Sequence, residues 1–312
     1  MTIVIAGGSG FLGTALAAAW RREGHRVLVL TRRPRRDGDV AWSPDGPDRG
    51  WMTVMSGADA VVNLAGEGIA DKRWTAARKA AILESRILAT RAIVAAVKAA
   101  RPTPATLISS SAIGIYGTHG DEPLTEDAAP GSDFLADVCR AWEAEATAVA
   151  PLTRLVLLRS GVVLAKGAGA LPRIALPFRF FAGGPLGSGR QYMSWIHLSD
   201  WTAMVRWALV TPGVVGPLNL TAPTPVTNAE FTRALGRAMR RPAFMPAPSF
   251  ALRLALGEMA DALLLGGQRV LPAKAQRLGF DFQYGTLEAA LREIYPGQPN
   301  RPRRRGGAEL SG

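Results

Sequence analysis

The sequence is poor in the side chains that form covalent cross-links and metal sites. Cys139 is the only cysteine among the 312 residues, so the chain cannot form an internal disulfide. A single cysteine is also typical of proteins from a reducing compartment. The three histidines, His25, His119 and His197, are scattered singly along the chain. Zinc sites need several such ligands at short spacings, so we expect no metal site.

Long apolar runs are absent as well. No uninterrupted apolar stretch reaches the roughly 20 residues that a membrane-spanning helix needs. The first residues, Met1 to Ala6, predict a strand and lack the basic region of a signal peptide. These features predict a cytoplasmic protein with no membrane partner.

The formal net charge of +12 raises the question of a nucleic-acid partner. The basic residues are concentrated in one loop and in the C-terminal tail, namely Arg32, Arg33, Arg35 and Arg36, then Arg301, Arg303, Arg304 and Arg305. The chain has no recognisable nucleic-acid module and no stripe that interleaves basic and aromatic residues. We therefore expect no nucleic-acid partner and a disordered, solvated tail over residues 296–312, with a binding arm as the alternative.

The chain does contain a glycine-rich turn between a strand and a helix. Glycines at positions 7, 10 and 13 follow an apolar run over residues 3–6, and a helical pattern begins at Thr14. Such a turn lets backbone N–H groups approach a pyrophosphate, and the helix dipole favours that negative charge. Because the strand–turn–helix context is present, the motif predicts a nucleotide cofactor rather than a plain tight turn. The expected contact residues are Gly7, Ser9, Gly10, Phe11, Leu12 and Gly13.

Strands and helices alternate through the first half of the chain. Apolar strands are predicted at 27–30, 60–64, 106–109 and 153–159, and helices at 76–100 and 134–149. This alternation predicts an α/β fold, a Rossmann-type doubly wound parallel sheet over residues 1–165.

The pattern changes in the second half. Residues 166–295 carry Gly- and Pro-rich loops, strand-like runs at 195–197 and 217–220, and helical patterns at 228–240, 249–265 and 286–294. We expect a smaller α+β substrate lobe that covers the carboxyl ends of the strands, where ligands of such sheets bind.

The end of the second strand distinguishes between the two dinucleotides. An acidic residue there would bind the ribose 2′-hydroxyl of NAD, but the chain reads Leu30-Thr31-Arg32-Arg33 and has no acid before Asp37. Arginine can pair bidentately with a 2′-phosphate, so Thr31 and Arg32 favour NADP over NAD. A solvated basic loop is the alternative.

A second glycine turn, Asn63-Leu64-Ala65-Gly66, follows the strand predicted at 60–64. In this fold the turn passes the adenine–ribose side of the cofactor, so we expect these four residues to line the cofactor site. A purely structural turn is the alternative.

These residues resemble those of the extended short-chain dehydrogenases/reductases. The resemblance covers about residues 1–295 and includes the two glycine turns. It also includes Ser109-Ser110-Ser111 leading to Tyr116-Gly117, and Trp195-Ile196-His197 before Asp200. The chain looks most similar to the atypical, epimerase-like (YfcH-type) branch, with its Thr31-Arg32, Glu84-Ser85-Arg86, Trp142-Glu143 and a C-terminal helical segment from about residue 243.

The resemblance implies hydride exchange between a nicotinamide cofactor and a small-molecule substrate, assisted by a Ser and a Tyr-x-x-x-Lys pair. Residues four apart share a helix face, so the lysine can lower the pKa of the tyrosine. This chain lacks the pair, because no lysine occurs between Lys98 and Lys166. With Glu143 as a guide, Leu135 stands in the tyrosine place and Cys139 in the lysine place.

The remaining catalytic candidates are Ser110, Ser111 and Tyr116. The serines end a strand and could hydrogen-bond a carbonyl or hydroxyl, or they could simply satisfy backbone groups. Tyr116 could serve as a displaced acid, with a packed aromatic as the alternative. Cys139 falls in mid-helix without a nearby histidine, so we do not expect a nucleophile there.

Further along the chain, Arg190 is the cation expected to meet an anionic substrate group. Related epimerases place an arginine four residues before the histidine equivalent, and here that position is Met193. We expect His197 to be a structural histidine and Asp200 to be a helix N-cap. Phe178, Phe180 and Phe181 could line an apolar pocket or belong to the core.

Two hypotheses follow from these observations. The first is an NADP(H)-dependent, epimerase-like oxidoreductase with a non-standard proton transfer, acting on a small molecule and able to form a homodimer. The second is a dinucleotide-binding sensor or partner-binding protein without catalytic activity, which the missing Tyr-x-x-x-Lys pair favours.

Overall fold

The computed structural model describes residues 1–47 and 50–296. The tail predicted over residues 296–312 therefore lies outside the described residues from position 297 onward. Strands and helices of the first half follow in this order: β1 (Thr2–Ala6), α1 (Phe11–Arg22), β2 (Arg26–Thr31), β3 (Asp39–Ala41), a 3-10 turn (Trp51–Met55), β4 (Ala60–Asn63), α2 (Ala76–Ala99), β5 (Thr106–Ala112), a second 3-10 turn (Ile113–Tyr116), β6 (Pro123–Leu124), α3 (Phe134–Thr147) and β7 (Arg154–Ser160).

The second half is built of shorter elements. They are β8 (Val162–Ala165), β9 (Ala168–Gly169), α4 (Leu171–Arg179), β10 (Tyr192–Met193), β11 (Trp195–His197), α5 (Leu198–Val210), β12 (Gly216–Leu220), β13 (Val226–Thr227), α6 (Asn228–Met239), α7 (Ser249–Leu256), α8 (Glu258–Ala260), a π-helical turn (Asp261–Leu265), β14 (Arg269–Val270), α9 (Ala273–Arg277) and α10 (Leu287–Ile294).

Seven parallel strands form the central sheet, in the order β12-β7-β5-β4-β1-β2-β3. The strand order reverses at β1, as in a doubly wound sheet, so the predicted Rossmann-type fold is confirmed. Ala6 at the end of β1 pairs with Leu30 on one side and with Asn63 on the other, and Asn63 pairs with Ser109. This register brings both glycine turns and the serine cluster to the same edge of the sheet.

Apolar side chains cover both faces of the sheet, as expected for parallel strands buried between helix layers. On one face, Ile5 and Ile108 pack with Trp20 of α1 and Trp201 of α5. The opposite face packs against α2 and α3 through residues such as Val4, Val61, Leu107 and Ile93. Alternate residues of one strand thus serve two different cores.

The chain returns to the central sheet after it has entered the predicted lobe. Strand β12 pairs with β7, and α5, which precedes β12, packs in the core on the α1 face. Two elements beyond residue 165, α5 and β12, thus belong to the central sheet and its helix layer. The cause is that parallel neighbours need a crossover connection, and the connection between β7 and β12 includes α5.

The lobe itself has a separate apolar cluster formed by α4, α6 and α10, with Phe178 and Phe231 buried at its centre. The single helix predicted over 249–265 is wrong. The helix ends at Leu256, because Gly257 has a φ of 63°, which an α-helix cannot contain. Within the described part of the chain, no helix is long and apolar enough to cross a membrane.

Candidate functional site

The first glycine turn is shaped by very close backbone contacts. Gly7 has a φ of 75°, and a β-carbon on it would lie 2.7 Å from the carbonyl carbon of Leu64. A β-carbon on Gly13 would lie 2.5 Å from the carbonyl oxygen of Gly7. Neither position could hold a larger residue without moving the backbone. The first glycine turn, the second glycine turn and the start of α1 therefore meet more closely here than side chains would allow.

This turn leaves the start of α1 open to a ligand. The N-cap of α1 is Gly10, which has no side chain to accept a hydrogen bond from the first-turn N–H groups. Ser9 and Gly10 are exposed, and Phe11 and Leu12 are half-buried. An uncapped helix N-terminus at the end of β1 fits a pyrophosphate, so the geometry supports a dinucleotide at this edge.

The end of β2 lies next to this turn. The hydroxyl of Thr31 is buried and lies 3.4 Å from the Ser9 hydroxyl, to which it donates, and it accepts from the Arg33 N–H at 3.3 Å. Arg32, which lies between Thr31 and Arg33 in the chain, is exposed. Thr31 thus links the two predicted cofactor segments, while the guanidinium of Arg32 stays at the surface where it could meet a 2′-phosphate.

Hydrogen bonds to α2, within the turn and to β1 hold the second glycine turn in place. The Asn63 side-chain amide donates to Thr90 at 2.9 Å, and its carbonyl oxygen accepts from the Ala65 N–H at 3.2 Å. The Leu64 N–H donates to the Ala6 carbonyl at 2.9 Å, which joins the second turn to β1. Thr90 was not found from the sequence, because nothing in the helix pattern distinguishes it.

The serine cluster leads into a buried polar network across the sheet. Ser111 of β5, Arg159 of β7 and Asn219 of β12 lie in one row of the register. The Ser111 hydroxyl donates to the Glu143 carboxylate at 2.6 Å, and Arg159 binds both oxygens of that carboxylate at 2.9 Å each. Although burial opposes it, the hydrogen bonds with Glu143 raise the pKa of Arg159 above its ordinary value, so the guanidinium stays charged.

The sequence offered one signal for this network. Arg159 directly follows the apolar run 155–158 of β7, and a charged residue at such a position needs a buried partner. The identity of the partner could not be found in that way, since Glu143 lies on a different element.

Tyr116 lies in the interior, at the far end of the same network. It is fully buried, and its hydroxyl donates to Asn219 at 2.7 Å and accepts from Arg159 at 3.0 Å. Burial raises the pKa of its phenol, which makes proton release harder. This geometry favours the packed aromatic over the displaced acid.

The helix that should carry the proton-transfer pair is apolar at both places. A β-carbon on Gly114 would lie 3.3 Å from the Leu135 β-carbon and 3.8 Å from the Cys139 sulfur, so both residues do face the end of β5. Burial raises the pKa of the Cys139 thiol to about 11. A thiol in that state is neither a nucleophile nor a useful base near neutral pH.

Ser110 differs from its two neighbours. Ser109 and Ser111 are buried, whereas Ser110 is half-buried. The Ser111 hydroxyl is bonded to Glu143, while the hydroxyls of Ser109 and Ser110 make no hydrogen bond to another described residue, and only that of Ser110 is partly exposed. Of the three serines, Ser110 therefore has the hydroxyl that is free to meet a ligand.

The remaining residues predicted from the sequence make contacts that differ from those of the glycine turns and the serine cluster. His197 is buried and contacts Glu293 at 3.0 Å, as expected for a structural histidine. Asp200 is not the N-cap of α5, because His197 caps that helix; its carboxylate instead accepts from the N–H groups of Gln283 and Tyr284. Arg190 is exposed.

The three phenylalanines do not form one pocket. Phe178 is in the lobe core, while Phe180 and Phe181 are exposed at the surface. Among residues 1–47 and 50–296, no group of His, Cys, Asp and Glu could hold a metal ion.

Comparison with known proteins identifies two matching families. Residues 3–218 match the NAD dependent epimerase/dehydratase family, and residues 247–294 match a family described as a domain of unknown function, DUF1731. The second match starts close to the C-terminal helical segment expected from about residue 243.

Curated relatives match over nearly the whole chain. An epimerase family protein of Mycobacterium bovis, Mb2239, is 45% identical over 294 residues, which are 93% of this chain and 96% of the relative. The epimerase family protein YfhF of Bacillus subtilis is 41% identical over 94% of this chain and 98% of its own length.

A solved structure agrees with these matches. The crystal structure of human epimerase family protein SDR39U1 (isoform 2) with NADPH superposes with a TM-score of 0.88 and 35% identity. The superposition covers 95% of this chain and 99% of that chain. Both the fold and the family are therefore shared over almost the full length of the two proteins.

The buried ion pair predicts a large loss of stability when one partner is removed. Glu143→Gln leaves the Arg159 guanidinium buried without a counter-charge, and we expect the free energy of unfolding to fall by about 3–5 kcal/mol. Urea denaturation followed by circular dichroism measures this change. Glu145→Gln, on the same helix but paired with the exposed Arg91, is the matched control and should change stability far less. Equal losses for the two variants would contradict this account of the pair.

Proposed function

The chain belongs to the NAD dependent epimerase/dehydratase family, and from that membership we propose that it is an NADP(H)-binding, epimerase-like oxidoreductase that acts on a small molecule. The observation that carries the proposal is the link between the two cofactor segments: the turn before the uncapped N-terminus of α1 is hydrogen-bonded to Thr31 at the end of β2, and the sequence that follows has no acid before Asp37. The human relative crystallised with NADPH supports the same cofactor.

The residues of this site fit the cofactor in three places. The backbone of Ser9 to Gly13 would hold the pyrophosphate, Arg32 would bind the 2′-phosphate, and the turn at Asn63 to Gly66 would pass beside a ribose. When bound, the nicotinamide supplies a hydride donor or acceptor.

The chain's own contribution to the reaction is orientation rather than proton exchange. Ser110 has the free hydroxyl at the end of β5 and would hydrogen-bond the reacting oxygen of the substrate. Ser111 commits its proton to Glu143, and Tyr116 is enclosed by Arg159 and Asn219. The proton that accompanies the hydride would therefore come from solvent water.

The second hypothesis, an NADP(H)-binding protein without catalytic activity, rests on the apolar pair Leu135 and Cys139. In that case Ser110 would have no reaction to assist. We propose the cytoplasm as the location, since the one cysteine is buried and free. A homodimer stays part of the proposal, and Arg190 remains the proposed contact for an anionic substrate group.

The cofactor preference is tested by reversing the charge at Arg32. We expect the wild type to bind NADPH at least about tenfold more tightly than NADH, because a charge-assisted pair with a phosphate is worth about 1.5–3 kcal/mol. Arg32→Glu should remove most of that preference, as measured by isothermal titration calorimetry.

Arg36→Glu is the matched control for this experiment. It makes the same change of charge in the same exposed loop but five residues beyond the end of β2, whereas Arg32 follows β2 directly, so the preference should persist. Equal wild-type affinities for NADPH and NADH would refute the assignment of Arg32.

Catalysis is tested by following NADPH oxidation at 340 nm over a broad panel of carbonyl compounds and sugar nucleotides. We expect turnover that Ser110→Ala lowers by about 10–100-fold, since one hydrogen bond to the reacting oxygen is lost, while NADPH affinity is unchanged. Absence of turnover across the panel, with NADPH still bound, would favour the non-catalytic hypothesis.

A further inference from the structure

Arg86, on the inner face of α2, has an environment that the proposed reaction does not yet explain. Its guanidinium lies over the Trp142 ring, 5.0 Å from the ring centroid, and one nitrogen donates to the Ile82 carbonyl at 2.9 Å. A β-carbon on Gly66 would lie 3.5 Å from the guanidinium carbon. The side chain therefore sits directly against the second glycine turn, held by α2 and α3 together.

This guanidinium has no acidic partner among the described residues. The nearest candidate on the turn, Glu67, is paired with Arg78 instead. Burial lowers the pKa of Arg86, which is the direction expected when a cation has lost water without gaining a counter-charge. Arginine carries five N–H donors, and only one of them is used by Ile82. Most of its hydrogen-bonding capacity is left for a ligand.

The position of Arg86 relative to α3 indicates which ligand. Trp142 and Cys139 are three residues apart on one face of α3, so the guanidinium over Trp142 lies on the side of the helix that carries Cys139. Each group also shifts the pKa of the other. Cys139 stands where the resemblance places a lysine, and its side chain is too short to fill that space. The cation of Arg86, which comes from α2, thus lies near the position at which the resemblance expects a lysine.

We propose that Arg86 binds the nicotinamide half of the dinucleotide, through phosphate and ribose oxygens on the side of the site that holds Cys139. The proposal rests on NADP(H) binding as proposed above and adds a residue that the glycine turns do not include. Since arginine keeps its proton, Arg86 would hold the cofactor and stabilise negative charge, but it would not exchange protons. Its role is therefore in binding.

The test compares two ligands that share only the adenine half. NADPH carries both halves, whereas adenosine 2′,5′-bisphosphate carries the 2′-phosphate end alone. We expect Arg86→Met to weaken NADPH binding by about 10–100-fold and to leave bisphosphate binding within about twofold, as measured by isothermal titration calorimetry. Arg86→Lys, which keeps the charge but not the planar fork, should lie between the wild type and Arg86→Met.

Arg91→Met is the matched control, because it removes a guanidinium from the same helix at an exposed position paired with Glu145. It should bind both ligands as the wild type does. Circular dichroism and thermal unfolding confirm that each variant is folded, and Arg86→Lys provides the comparison if Arg86→Met does not fold.

The outcomes separate this proposal from the one before it. Wild-type binding of NADPH with no loss in Arg86→Met and Arg86→Lys overturns the role of Arg86 alone. An equal loss for NADPH and the bisphosphate also overturns it, because the effect would then not belong to the nicotinamide half. No NADPH binding by the wild type overturns both proposals together.

Discussion

The close approach of three backbone segments at the end of β1 is the constraint on which the site depends. Gly7 lets the chain pass within van der Waals contact of Leu64, and Gly13 lets α1 start directly against the first turn. With β-carbons at these positions, the helix N-terminus and the second turn would be pushed apart. The open first turn of α1 could then no longer face the same space as Gly66.

Helix α3 connects this edge to the rest of the molecule through two adjacent residues that face different partners. Trp142 donates to Thr90, which also receives the Asn63 amide, and it lies under the guanidinium of Arg86. Glu143 instead binds Ser111 and Arg159. One turn of helix therefore fixes both the second glycine turn and the end of β5. A shift of α3 would move the second glycine turn and the end of β5 together.

The sequence predicted the parts of the fold that local signals determine. The glycine spacing, the missing acid after β2 and the alternation of strands and helices all lie within short windows, and the strand and helix positions of the first half follow them closely. Longer connections escaped prediction. Strand β12 joins β7 after an interval that contains the α4 part of the lobe, and Tyr116 meets Asn219 across 103 positions. The break at Gly257 was visible as a glycine inside a helical pattern, but only its positive φ turns that glycine into an end.

Within the site, the sequence located the two positions of the proton-transfer pair, but it did not identify the residues that pack around these positions. Leu135 and Cys139 could be located by counting back from Glu143, since spacing along one helix is fixed. Arg86 could not, because it comes from α2 and only the packing of two helices brings it to Cys139. The consequence concerns charge. A lysine on α3 would supply both a cation for the cofactor and an influence on a neighbouring phenol, whereas a guanidinium from α2 can supply only the cation. In the proposed site, Arg86 therefore supplies a positive charge for cofactor binding, and no residue combines that charge with an effect on a proton-transferring phenol.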